Sequence, residues 1–349
     1  MDYLPPEILT IIFSYSEGYN FVNRQVCSEF REMIPEIEPV FYLDSLCKDT
    51  KVPKKIKPCL EFLDKAVEST CFNVLEWSKQ VFTLGEICKL ACRKGNLEVI
   101  QWCLNNGYIW EKNLSSIVAR YGHLHILQWL GTDRCNKDTV WNATIGGHLE
   151  ILKWLKTKQC LWDEDICNGA ARYGHLEILK WARENGCPWY RGTCSDAARY
   201  GHLEILKWLR ANGCPWDEYT CAYAAKENHL EVLQWARSAN CPWDESTCYN
   251  AARSGHLEVL QWLRANGCPW NESVCSVATR EGHLEVLQWL RANGCPWNEE
   301  TCADASFSGH LEVLQWARAN GCPWNKEECF NNARAGENHK YVLRWIENN

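Results

Sequence analysis

With 349 residues and 46% apolar side chains the chain can bury a large core, while a net charge of −7 gives no basic field for nucleic acid. No apolar run nears the roughly 20 residues a membrane span requires. The opening MDYLPPE, followed by a short, mostly apolar stretch from Ile8 to Phe13, lacks the pattern of a secretory leader. The expected place of action is therefore intracellular, cytoplasmic with the nucleus left open, with neither membrane nor nucleic acid as partner.

Taken in order, residues 1–45 stand apart from the rest. Leu4-Pro5-Pro6-Glu7 opens a helix, since proline is tolerated in the first turn and glutamate there suits the helix dipole. Leu4, Ile8, Leu9, Ile12 and Phe13 then recur at helical spacing and form one apolar face. Glu17-Gly18-Tyr19-Asn20 breaks the helix, and a second one carries Phe21, Val22, Val26, Cys27, Phe30 and Ile34. So much apolar surface on so short a segment is marginal alone. It either caps the remainder of the chain or docks on a partner. Residues 46–58 contain KDTKVPKKIKP, a charged, proline-broken run that reads as a solvated linker, with a nuclear import signal as the alternative.

Residues 59–349 repeat. Aligned on the His of GHLE, copies fall at His123, His148, His175, His202, His229, His256, His283 and His310, with a degraded one at His339. Asn96 and Cys71 take the same place in earlier, worn copies. From His148 to His310 every step is 27 residues, and such a fixed period means a stacked array. In the copy at His256, Leu257, Val259, Leu260, Trp262 and Leu263 share one side of a helix. Asn266-Gly267 stops it, with glycine as the left-handed cap. Cys268-Pro269-Trp270 is an extended connector, and Asn271 caps a second, short helix through Cys275 to Arg280. Each copy is thus a helix–turn–helix hairpin plus a tight loop, and the fold class is all-α.

The 22 cysteines and 20 tryptophans follow the same period. In the regular copies one Cys lies eight residues before the His and one twelve after it, which points to reduced, buried thiols acting as small hydrophobes. Tryptophans six and fourteen residues after the His form two rows, expected in the core and without basic interleaving. Each regular copy also holds two Cys and one His, such as Cys187, Cys194 and His202. Their gaps of six and seven residues do not suit zinc, which favours close pairs, so no metal and no cofactor is expected. No phosphate loop, nucleophile elbow or other catalytic motif is present, and an enzyme is not expected.

Two resemblances sharpen this. LPPEILTIIFSY followed by Val26-Cys27-Ser28-Glu29-Phe30-Arg31 resembles an F-box. Ser16 departs from the usual Leu, the segment between the helices is short, and Phe30 stands where Trp is frequent. The resemblance implies that Leu4, Pro5, Ile8, Leu9, Ile12 and Phe13 dock on the Skp-type adaptor of a cullin–RING ubiquitin ligase. Ala251-Ala252-Arg253-Ser254-Gly255-His256-Leu257-Glu258-Val259, with Gly267, resembles an ankyrin repeat shortened by six residues where that family grows its finger. Similar 27-residue arrays occur in proteins of large DNA viruses of protists. The resemblance implies an ankyrin-like solenoid with short fingers whose first helix lines the concave face.

Residues that differ between copies mark the expected contact stripe on that face. They are Tyr173, Tyr200, Tyr223, Tyr249 and Phe307 as apolar anchors, with Arg199, Arg253 and Arg280 beside them. The expected function is a non-enzymatic adaptor that carries a protein target to a ubiquitin ligase. The alternatives are a plain interaction scaffold and a metal-binding stack.

Overall fold

The computed structural model describes residues 39–50, 52, 56–160, 165–336 and 339–349. The expected adaptor-docking residues Leu4, Pro5, Ile8, Leu9, Ile12 and Phe13 lie outside them. The described residues form 23 α-helices, one 3-10 turn and no strand. They fall into two compact units, divided between positions 161 and 162.

The second unit is built from seven hairpins. Its first helices are Asp165–Tyr173, Arg191–Arg199, Glu218–Lys226, Glu245–Arg253, Glu272–Arg280, Glu299–Phe307 and Lys326–Ala335. Its second helices run from Leu176–Glu184 to Lys340–Asn348. The local code works as the sequence suggests. The Asn271 side chain accepts from the Ser273 backbone N–H at 3.1 Å, capping the helix Glu272–Arg280. At the end of Leu257–Ala265, Gly267 takes φ 78, and the Cys268 N–H donates to the Leu263 carbonyl at 3.0 Å, closing the helix with a Schellman turn.

Residue size sets the packing. Each first helix buries small groups, such as Thr247, Cys248, Ala251 and Ala252. Successive first helices therefore pack directly on one another. Each second helix buries Val259, Leu260 and Leu263 or their equivalents behind that row. A fully buried leucine contributes roughly 1.5–3 kcal/mol, and this triplet recurs in copy after copy.

The repeat histidine has a role that no single copy reveals. It occupies the N-cap position of the second helix, but its side chain caps nothing there. Instead the His256 Nε2–H donates to the Lys226 carbonyl of the preceding copy at 3.0 Å. His202 reaches Arg172 at 3.0 Å, His283 reaches Arg253 at 3.1 Å and His310 reaches Arg280 at 3.1 Å in the same way. The ring lies against the glycine that ends the preceding first helix. A Cβ on Gly255 would stand 2.9 Å from His283 Cε1, and Gly255 also has φ 76. Gly and His of the GHLE motif are thus matched between neighbouring copies.

The tryptophans correct the expectation of a core position. Trp262 and Trp270 are half-buried. The tryptophan of one loop meets the second-helix tryptophan of the next copy edge to face, as in Trp243–Trp262 and Trp270–Trp289, both at 6.0 Å. Basic interleaving is also present, against expectation. Arg264 lies over Trp270 at 4.1 Å, and Arg183, Arg210, Arg237, Arg291 and Arg318 repeat this on their own tryptophans. The rows are a half-exposed seam of alternating guanidinium and indole.

The first unit keeps the scheme in worn form. Its helices between residues 60 and 157 pair in the same order. Asn96 replaces the histidine, and its Nδ2 donates to the Val67 carbonyl at 2.7 Å, so the cross-copy bond survives the change of residue. A further helix, Pro39–Lys48, runs through position 45, where the N-terminal segment was expected to end. It buries Val40 and Leu43 and packs on the helices Leu60–Glu68 and Phe72–Ser78. Asp44 accepts from the Val74 backbone N–H at 3.0 Å and from Asn73 Nδ2 at 2.7 Å, capping the second of these from outside.

Candidate functional site

In the second unit the shared residues are consumed by packing, so chemistry has to come from the copy-specific ones. These line the row of first helices. Tyr173, Tyr200 and Phe307 are 40%, 44% and 49% exposed there, while Tyr223 and Tyr249 are half-buried.

The basic residues of the stripe are not isolated charges. Arg199 Nε pairs with Glu227 at 3.3 Å, Arg253 with Glu281 at 3.4 Å and Arg280 with Asp304 at 2.7 Å, each acid standing in the next copy. Arg172 makes the same bridge to Asp196 at 3.1 Å. With guanidiniums open to solvent, such pairs each contribute about 0–1 kcal/mol, so they orient the guanidiniums more than they hold the stack. The Arg280 hydrogen bond to Asp304 raises that guanidinium's pKa, while burial pushes the Asp304 carboxyl above its ordinary range in spite of the pairing.

One group of these residues is drawn together. Tyr200 has two guanidiniums near its ring, Arg172 Cζ at 5.9 Å and Arg199 Cζ at 5.8 Å. Arg199 also faces Tyr223 at 5.4 Å. Tyr223 in turn stands 5.9 Å from Tyr219, one turn earlier on the same helix. Tyr249, Arg253, Arg280 and Phe307 sit on later copies of the row, outside this cluster. Tyr219 and Tyr190, 50% and 48% exposed, were missed by sequence reasoning. Tyr190 replaces the Asp or Asn that caps the equivalent helices at Asp217, Asp244 and Asn271. Comparison of copies, the signal that found Tyr200, also marks both.

The cysteines belong largely to the packing. Among the described residues all are free thiols. Most are buried, and they serve as weak donors, as where Cys268 Sγ meets the Asp244 carbonyl at 3.6 Å. Burial, helped by the nearby Cys160, pushes the Cys135 thiol up to about 11. Among the described residues no three His, Cys, Asp or Glu side chains converge as a metal site, and no helix is long and apolar enough to cross a membrane.

A family model described as ankyrin repeats in many copies matches residues 221–264 and 248–291. Among solved structures, the ankyrin repeat domain of human ASB11 is similar at 16% identity and a TM-score of 0.42, over 52% of this chain and 96% of that one. No curated protein matches the chain.

Proposed function

We propose, from the match of residues 221–291 to a family model of ankyrin repeats, a non-enzymatic adaptor that holds a protein target on the first-helix face of its second unit. The observation that carries this is the exposed, copy-specific tyrosine set. Copies that have Ser254 or Asn250 in place of Tyr200 or Tyr223 fold the same way, so the stack does not need these rings. Exposed aromatics beside arginines are the side chains that dominate protein interfaces. Tyr249, Arg253, Arg280 and Phe307 extend the same face toward the later copies.

In the finer reading, the F-box-like segment docks on a Skp-type adaptor through Leu4, Pro5, Ile8, Leu9, Ile12 and Phe13, and other subunits of the ligase modify the bound target. The helix Pro39–Lys48 supports this reading over a plain scaffold whose N-terminus merely caps the stack. That helix already packs on the first hairpin, so a cap is supplied without the docking residues. The likeness to arrays of large DNA viruses would place the ligase in a host cytoplasm. The test is a pull-down of the intact chain with purified Skp-type adaptor beside a Leu4→Ala/Pro5→Ala/Ile8→Ala variant. Retention by the intact chain and loss in the variant are expected. A folded intact chain that retains no adaptor leaves an ankyrin scaffold without a ubiquitin-ligase link.

A further inference from the structure

The tyrosines of the first-helix face are not spread evenly along the second unit. Tyr173, Tyr190, Tyr200, Tyr219 and Tyr223 all fall within residues 165–227. At the matching positions, later copies carry Ser254, Asn250, Ser246 and Asp244. The rings are therefore concentrated at one end of the row, while the later copies keep Tyr249 and Phe307 among polar residues.

The aromatic end has a definite electrostatic character. Its guanidiniums are each matched by a carboxylate, Arg172 by Asp196, Arg199 by Glu227 and Arg191 by Asp217 at 3.4 Å. A strongly acidic ligand would have to displace these acids, and a basic one would meet the arginines. A cationic head group is disfavoured at the Tyr200 ring because two guanidiniums, Arg172 at 5.9 Å and Arg199 at 5.8 Å, already stand near it. What remains is a neutral ligand with flat apolar faces and strong hydrogen-bond acceptors. A polyproline II segment fits, because its rings stack on aromatic side chains and its backbone carbonyls have no internal partner. The order Arg172, Tyr200, Arg199, Tyr223, Tyr219 holds the rings in place before binding, so little side-chain entropy is lost.

We propose that the aromatic end of this face, Tyr200, Tyr219 and Tyr223 with Arg172 and Arg199, is a docking site for a proline-rich segment of the target protein. It rests on the reading of the first-helix face as the target-binding surface and specifies the chemistry of the target.

The experiment uses the intact chain and calorimetric titration with three decapeptide sets. One set has prolines three residues apart, the second has those prolines changed to alanine, and the third is acidic. Tyr200→Ser and Tyr223→Asn install residues that sister copies already carry, so both variants fold. Expected is binding by members of the proline set only, weakened at least tenfold by either substitution and changed less than twofold between 0.1 and 0.5 M salt, about the range over which surface charges become screened. Binding by the acidic set with a steep salt dependence, or proline-set binding that ignores both substitutions, would overturn the proposal. If the alanine-changed set binds as well as the proline set, and Tyr200→Ser abolishes it, the proline assignment fails while the target-binding face stands. Self-association of the intact chain that both substitutions abolish would overturn it as well, since the occupant would then be a second copy.

Discussion

The two units keep the same minimum and differ in what is added to it. In both, small first-helix residues pack against a Val/Ile and Leu layer, and a polar side chain at the start of the second helix bonds back to the preceding copy. Asn96, His123 and His148 do so in the first unit, and His256 and its equivalents do so in the second. The regular guanidinium–indole seam belongs to the second unit. Among its described residues the first has partial substitutes, such as Phe72 stacked on Trp102 at 6.2 Å with Lys79 nearby. The small core and the cross-copy bond therefore define the fold, and the seam is an added clamp.

That ranking can be broken experimentally. The largest effect belongs to the core. Leu260→Ala empties a fully buried site and should cost about 2–5 kcal/mol in chemical denaturation. Next comes the match between Gly255 and His283. Gly255→Ala puts a side chain at φ 76 and against the imidazole, and should cost about 1–3 kcal/mol. Gly255→Ala combined with His283→Ala should cost less than the sum of the two single variants, because the clash is removed while the backbone strain and the lost bond to the Arg253 carbonyl remain. Losses that simply add would refute the match.

Much of the fold was legible in the chain itself. The period, the Asn caps and the Asn-Gly stops place each helix to within a residue or two, because these signals act locally. The partners of His256 and Arg199 were not legible, since each lies in a neighbouring copy about 30 residues away and periodicity says what recurs, not what it touches. The tryptophans were misplaced for a related reason. Trp262 shares a side with Leu260, but Val259, Leu260 and Leu263 already fill the interior and leave the indole at its edge. Arg264 escaped notice as its companion because it reaches Trp270 across the turn. At the site, comparing copies found Tyr200 and Tyr223, while the acids that neutralise the arginines emerged only from the register of the stack.

A smaller effect tests the seam. Arg264→Ala removes one guanidinium from Trp270 and should cost about 0.5–1 kcal/mol. A loss as large as that of Leu260→Ala would make the seam part of the minimum. The smallest effect is a pH dependence. Burial lowers the His202 pKa more than its bond to the Arg172 carbonyl raises it. The folded state thus binds a proton less readily than the unfolded one, and stability should fall as pH drops through the ordinary imidazole range and below. Thermal melts at pH 8 and pH 5 should show this slope, reduced in His202→Asn, which borrows the residue used at Asn96.

The most direct test of the target-binding face starts from a random peptide library displayed against the intact chain. Selected ligands are then titrated into a Tyr200→Ser/Tyr223→Asn variant and into Arg264→Ala. Expected is an affinity loss of at least tenfold in the tyrosine variant and none in Arg264→Ala. Ligands that bind the tyrosine variant unchanged, or that are lost with Arg264 instead, would move the interaction surface from the first-helix face to the tryptophan seam and contradict the assignment.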